Sequence, residues 1–334
     1  MNDARNAWGE RDPRILAHGE PDTVRRMSAQ RTRRSFVVGA MGAASGYAIW
    51  HWINNSRPVG RLQAVLRKSL QWNASFDRKL FHERGLAPEY PLDHAAQLRL
   101  NGVIGLDNEL ALDSYRLQVV GVENAHSSPR YVPDVTAWQY RYTGAAQPSS
   151  ALKDLKTAPG SNSNPAPPQT RHKRNVGTAE AGPSYSSLDI GTPGLLLTLQ
   201  DLAPLPKIEL VTEFKCVEGW SQITHWGGYR LRDFIDTYPP QKINGRDPRF
   251  VYMETPDGNY YAGYDMLAAR HPQSLLVTEM SGQPLTPVHG APLRLHMPIK
   301  YGYKQIKRIG LITYTDDKPD DYWTKLGYDW YAGL

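Results

Sequence analysis

A single cysteine, Cys216, in a chain of 334 residues limits how this fold can be held together. One thiol forms no intramolecular disulfide. It also excludes thiolate zinc sites, cysteine-ligated iron–sulfur clusters and the Cys-x-x-Cys-His attachment of a c-type haem, each of which needs two or more cysteines. The fold must therefore rest on its apolar core, and a chain of this length buries enough surface for one large domain or two ordinary ones without a staple. Any metal bound at Cys216 has this residue as its only protein thiolate.

The charge balance, 39 Lys plus Arg against 33 Asp plus Glu, would suit a nucleic acid only if the excess were spread over the folded part. It is not. Arg25, Arg26, Arg31, Arg33 and Arg34 fall close together with no acid between them, and without them the chain is nearly neutral. A nucleic-acid surface leaves a basic stripe on the folded domain, so no nucleic-acid partner is expected.

Directly after these arginines, Phe36–Ile53 contains no Lys, Arg, Asp or Glu. A basic flank followed by an apolar stretch is the pattern of an export signal, and Thr32-Arg33-Arg34-Ser35-Phe36-Val37-Val38 resembles a twin-arginine signal. That resemblance implies the twin-arginine export machinery as a partner and a periplasmic location. No clear Ala-x-Ala cleavage site follows. Since about 20 residues span a bilayer, the segment is marginally long enough to remain as an uncleaved inner-membrane anchor, and a cleaved and a tethered form both stay open. Residues 1–35 are thus read as a basic N-terminal region and 36–53 as a signal or anchor.

Residues 54–97 carry apolar positions at rough helical spacing (Leu62, Val65, Leu66, Leu70) and read as a helical lead-in. Alternation from Tyr115 to Gly121 reads as a strand. The stretch Gly144–Ser187, rich in Ser, Pro, Ala, Gly and Asn, cannot bury enough apolar area to offset its ordering entropy and reads as a disordered insertion. After it, Leu195–Leu205 reads as a short helix capped by Thr198. Ile208–Phe214 reads as a strand that delivers Cys216. Further strands are expected at Phe250–Glu254, Leu275–Met280 and Leu293–Met297, with a turn at Ser281-Gly282 and another apolar segment at Tyr303–Thr313. Short strands, Pro-rich turns and few long helices argue for an α+β, β-rich domain over 98–334.

Cys216 sits in Cys216-Val217-Glu218-Gly219-Trp220-Ser221, followed by Trp226-Gly227-Gly228-Tyr229-Arg230-Leu231. A lone cysteine is by default a small buried hydrophobe, but Lys215 beside it favours a thiolate, the form that binds a soft or highly charged metal. Together with Met253-Glu254-Thr255, His289-Gly290-Ala291-Pro292-Leu293-Arg294 and Lys300-Tyr301-Gly302-Tyr303-Lys304-Gln305-Ile306-Lys307, these segments resemble the sulfite oxidase family of molybdopterin enzymes, closest to its exported bacterial branch. The likeness covers roughly residues 98 to 334. It implies a sulfite-oxidase-type molybdopterin-binding fold, a molybdenum–molybdopterin cofactor and oxygen-atom transfer on a small sulfur or nitrogen oxo-compound, in the manner of a sulfoxide reductase.

Carried over position by position, the resemblance makes Cys216 the metal ligand, with Asn101, Thr255, His289, Arg294, Gln305, Ile306 and Lys307 as cofactor contacts. A phosphorylated pterin is an anion with many hydrogen-bonding edges, and it suits an Arg fork and a Lys point charge. Arg294, Lys300, Lys304, Lys307 and Arg308 supply positive charge close together. His289 replaces the Asn common in the exported branch and can titrate. His225 is a candidate for the substrate mouth and for a catalytic role, with an ordinary loop residue as the equal alternative. With no c-type haem on the chain, electrons must come through an external partner, expected to be a membrane haem protein. Two rivals remain: sulfite-dehydrogenase-like oxidation, although Arg230 is the only arginine within fifteen residues after Cys216, and a tethered, non-catalytic binding protein on the same fold.

Overall fold

The computed structural model describes residues 21–59, 62–80, 85–106, 109–143 and 191–334. The expected insertion at 144–187 lies outside the described residues, as do the first twenty positions of the basic N-terminal region. In chain order the main elements are helices α1 (Pro21–Asn54) and α2 (Ala64–Leu80), strands β1 (Leu117–Val120), β2 (Tyr131–Val132), β3 (Gly194–Leu197), β4 (Lys207–Lys215) and β5 (Ser221–Arg230), and helix α3 (Leu231–Thr237). Then follow β6 (Phe250–Glu254), β7 (Tyr261–Asp265), α4 (Met266–Ala269), β8 (Leu275–Met280), β9 (Gln283–Pro284), β10 (Arg294–His296), β11 (Leu311–Thr315) and α5 (Tyr322–Lys325). The chain separates into two compact units, one built on α1 and one, Arg67–Leu334 in the main, that holds both large sheets.

Helix α1 runs unbroken from the arginine cluster through the apolar segment, and Val38, Met41, Tyr47, Ile49, Trp50 and Trp52 on it are exposed. Among the described residues no helix is long and apolar enough to cross a membrane. The helical lead-in is present as α2 but ends at Leu80. Residues 85–101 have no α-helix and only a single 3-10 turn at Leu92–His94.

The first sheet has the order β7-β6-β11-β1-β3-β2, antiparallel except where β11 runs parallel to β1. The second has the order β9-β8-β5-β4, with β10 added against β8. Burial follows the side-chain alternation that strands impose. Leu117, Val119, Leu195, Leu197, Val251, Met253 and Ile312 fill one core, and Leu210, Phe214, Trp226, Leu275 and Val277 fill the other. The result is the β-rich α+β architecture expected from the pattern of short strands.

One element differs. Leu195–Leu197 is not helical but belongs to β3, paired with both β1 and β2, and only Leu199–Leu202 turns as a 3-10 helix. A short apolar run has no period that separates strand from helix. The Thr198 cap is present, its hydroxyl donating to Asp201 Oδ2 at 2.7 Å.

Candidate functional site

Strands β4 and β5 form one long hairpin in which Lys215 faces Ser221. Cys216 begins its loop. The Cys216 N–H donates to the Trp220 carbonyl at 2.9 Å and the Gly219 N–H to the Cys216 carbonyl at 3.1 Å. This tight return needs the left-handed φ of 88° at Gly219, which glycine adopts without strain. The thiol lies at the margin of burial, with 9% of its residue surface exposed. Asn101 Nδ2 donates to Cys216 Sγ at 3.6 Å and to Glu218 Oε2 at 3.3 Å, and Trp220 Nε1 donates to the same carboxylate oxygen at 3.1 Å. Burial pushes the Cys216 thiol up and the Glu218 charge adds to it, against the lowering hydrogen bonds from the Glu218 backbone and Asn101. Lys215 does not supply the expected help to the thiolate, since it lies 3.5 Å from Glu213, and a metal would have to displace the proton.

The segment that brings Asn101 to the cysteine is pinned along its length. The Gln222 amide donates to the Gln97 carbonyl at 2.6 Å and accepts from the Arg99 N–H at 2.8 Å. His289 Nε2 donates to the Leu98 carbonyl at 3.0 Å, and its Nδ1 accepts from the Thr286 hydroxyl at 2.8 Å. Burial, with the charges of Arg294 and Lys307 nearby, holds His289 below its ordinary value despite the Leu98 bond, so the ring is neutral. Both ring nitrogens are taken. His289 therefore acts on the site through Leu98, not through a ring hydrogen bond of its own to a cofactor. Lys307 Nζ completes the set, donating to the carbonyls of Asn101 at 2.7 Å and Gly102 at 3.0 Å.

Arg294 leaves β10 fully buried, its guanidinium 4.7 Å from the Trp226 ring centre and donating to the His289 carbonyl at 3.0 Å. Among the described residues no carboxylate pairs with Arg294 or Lys307. Burial brings Arg294 down to about 9. Burial first, then the Arg294 charge, brings Lys307 down to about 7. Two cations within electrostatic reach of one another and without a counter-ion are costly unless an anion joins them. The donor set fits a phosphorylated pterin: a thiolate for the metal on one side, an Arg fork and a Lys for the phosphate on the other. Among the described residues no group of three or more His, Cys, Asp or Glu side chains could hold a metal without such a chelate.

The positive cluster read from the sequence is smaller than expected. Lys304 donates to Asp321 Oδ2 at 2.6 Å and to the Trp330 carbonyl at 2.8 Å, both inside the core. Lys300 lies 3.9 Å from Asp265 and 3.2 Å from the Tyr331 ring centre. Their carboxylates come from distant positions, which local sequence does not reveal. Gln305 gives its side chain to His296 Nδ1 at 2.8 Å and to the carbonyls of Met297 and Lys300, and the Ile306 side chain is core. These two can meet a cofactor only by their backbone. The Thr255 hydroxyl donates to Asp257 Oδ1 at 2.6 Å, and a Cβ at Gly105 would come within 2.6 Å of the Thr255 methyl.

His225 is not brought to this cluster. It faces Val211 in the β4–β5 register, four residues from the hairpin end or about 13 Å along the strand. Its Nε2 lies 3.3 Å from Glu209 Oε2 on the sheet face opposite to Trp226 and Thr212. Strand alternation turns it away, so its assignment to the substrate mouth is corrected. Three residues that local sequence did not single out matter more: Gln222, His296 and Arg99. His296 is fully buried, accepts from the Thr212 hydroxyl at 2.7 Å, donates to Gln305 and stacks on Trp226 at 5.1 Å. Arg99 lies 5.5 Å from the Trp220 ring centre and lowers the Cys216 thiol from across the loop. Only its place two residues before Asn101 hinted at this.

Residues 188–323 match the family model described as the oxidoreductase molybdopterin binding domain. The chain is 38% identical over 138 residues to an Azospira oryzae protein provisionally named protein-methionine-sulfoxide reductase subunit YedZ1, covering 41% of this chain and 50% of that one. It is 33% identical over 158 residues to the protein-methionine-sulfoxide reductase catalytic subunit MsrP of Campylobacter jejuni, covering 42% and 52%. The chain thus spans about half the length of the curated relatives it matches. Among solved structures, the sulfane dehydrogenase SoxCD of Paracoccus pantotrophus is 17% identical over 37% of this chain and 36% of that one, with a TM-score of 0.34.

Proposed function

We propose that this protein is a molybdenum–molybdopterin oxidoreductase of the sulfite oxidase type transferring an oxygen atom on a small sulfur or nitrogen oxo-compound, in the sulfoxide-reducing sense, a reading supported by the match of residues 188–323 to the oxidoreductase molybdopterin binding domain. One observation carries the reading: the Cys216 thiol, bonded to Asn101, shares a site with two cations, Arg294 and Lys307, that have no carboxylate among the described residues. The names of the two curated relatives support the sulfoxide direction.

The bound cofactor supplies the two-electron oxygen-atom chemistry. The chain supplies the rest. Cys216 gives the thiolate, Asn101 fixes the sulfur's orientation by its amide, and Lys307 and Arg294 balance the pterin phosphate. Lys307 also ties the anion site to the thiol site, since its ammonium holds the carbonyl of the same Asn101 whose amide reaches Cys216. Glu218, accepting from both Asn101 and Trp220, ties the cysteine loop to the Asn101 segment.

Electrons reach the site through an external partner, a membrane haem protein in this reading. The arginine pair and the apolar segment of α1 support export by the twin-arginine route to the periplasm.

A second reading, sulfite-type oxidation, is favoured by Arg99. This exposed guanidinium stands over Trp220 beside the thiol, where an anionic substrate would meet it. A dye-coupled screen of molybdenum-loaded protein against sulfoxides, N-oxides and sulfite separates the readings. Sulfoxide-dependent oxidation of a reduced dye is expected. Turnover with sulfite alone would select the second reading, and no turnover with no bound molybdenum would leave a binding protein.

A further inference from the structure

Helix α2 carries three large apolar side chains in the open: Trp72 with 67% of its surface exposed, Phe76 with 48% and Leu66 with 38%. The Trp72 and Phe76 rings stack on each other, centroids 5.7 Å apart and planes 12° from parallel. At about 100° per residue, these three positions fall within a third of the helix circumference. Lysines flank these positions in the sequence: Lys68, exposed, stands one turn before Trp72, and Lys79 follows Phe76 by three positions. Over Ala64–Leu80 four basic residues, Arg67, Lys68, Arg78 and Lys79, stand against one acid, Asp77.

We propose that α2 is an interfacial helix that lies on an anionic phospholipid surface, Trp72 and Phe76 seated at the headgroup boundary and the flanking lysines over lipid phosphates. The alternative of a spanning helix fails on length and charge. Seventeen residues rise about 25 Å, short of a hydrocarbon core of about 30 Å, and five ionisable groups oppose burial in it. An ordinary solvated helix fails on the aromatic pair, because two large rings stacked in water on one face of a basic helix are the composition that partitions to an interface. Tryptophan prefers that depth, and lysine stems reach back to water from it. The charge selects an anionic lipid among possible occupants, since a basic flank gains from negatively charged headgroups and not from a neutral apolar protein surface. The chain also allows it. Only the stretch between Ile53 and Ala64 separates α2 from the apolar segment at the end of α1, so if that segment meets the membrane, α2 starts within reach of the same surface. The inference concerns α2 alone and stands whether or not the cysteine site binds molybdenum.

The test is amine footprinting of the full chain by lysine acylation and mass spectrometry, which reads α2 directly even if α1 already holds the protein on vesicles. With phosphatidylglycerol vesicles, acylation of Lys68 and Lys79 should slow several-fold relative to protein in buffer, and 0.5 M salt should return most of that protection by screening. Phosphatidylcholine vesicles should protect little. Trp72→Ser with Phe76→Ser should abolish the protection, while Trp72→Phe with Phe76→Leu should keep it, which separates loss of the apolar face from loss of the helix. Equal acylation with and without anionic vesicles would overturn the proposal. So would protection that needs no lipid and rises with protein concentration, because that result assigns the face to a second copy of the chain.

Discussion

Asn101 Nδ2 donates to Cys216 Sγ at 3.6 Å although 115 positions of chain separate the two residues. The contact exists because Gln222, His289 and Lys307 hold the backbone around Asn101 from three different elements. Among the described residues, the amide makes the one side-chain hydrogen bond to the thiol sulfur.

Replacing Asn101 by Ala removes that donor and leaves the Lys307 bonds to the main chain in place. Loss of one partly exposed hydrogen-bonding side chain should cost about 1 kcal/mol in denaturant unfolding. Turnover per bound molybdenum should fall much further than stability, and parallel loss of both would assign Asn101 to folding alone.

In the proposed anion site, Lys307 should make ligand affinity depend on pH. Burial and the Arg294 charge bring it to about 7 in the cofactor-free protein, below the unfolded lysine value of about 10.4. The ammonium that an anion needs is therefore present below about 7 and lost above it, while a phosphomonoester gains its second charge above about 6. Pterin-phosphate affinity of the apo-protein should peak between these limits and fall on the alkaline side. Lys307→Arg should remove the alkaline fall, and equilibrium loading across pH checks it.

His296 should make the fold acid-sensitive. Its folded value is pushed down to about 3 by burial, against about 6.5 when unfolded. Between these values the unfolded chain binds the extra proton, so stability is full above about 6.5 and is lost as pH falls toward 3. His296→Leu should flatten that slope and cost about 2–3 kcal/mol at neutral pH by stranding the Thr212 hydroxyl and the Gln305 amide. Denaturant midpoints at several pH values give both numbers.

Gly290 is held at a φ of 99°, and a Cβ there would lie 2.8 Å from Lys307 Cβ and 2.9 Å from the Arg308 nitrogen. Gly290→Ala should destabilise by about 2–3 kcal/mol through left-handed strain and overlap. It should also displace Lys307 and lower the pterin content of the purified protein, measured by fluorescence of the oxidised pterin.

Much of the fold was legible from sequence because β6 and β8 are short apolar strands bounded by Pro, Gly or Ser, and the structure places them at Phe250–Glu254 and Leu275–Met280. Leu195–Leu205 was not, since three consecutive leucines fit strand and helix alike and only pairing with β1 decides. In the site, Cys216, Asn101, Arg294 and Lys307, all named by the family motifs, are brought close together, but the partners of the other named residues were hidden. His289 and Gln305 spend their side chains on backbone and on His296, and Lys300 and Lys304 are matched by Asp265 and Asp321 from other elements. Sequence neighbourhood suggested the site for His225; the two-residue period of β5 turns it to the other face.

Molybdenum K-edge absorption on the purified wild-type protein and on Cys216→Ser reads the metal's sulfur neighbours directly. The expected result is one sulfur fewer around the metal in the variant, with pterin still held by Arg294 and Lys307. An unchanged sulfur shell in Cys216→Ser, or a wild-type protein loaded with pterin whose metal has no thiolate beyond the pterin's own, would contradict the assignment of Cys216 as the metal's protein ligand.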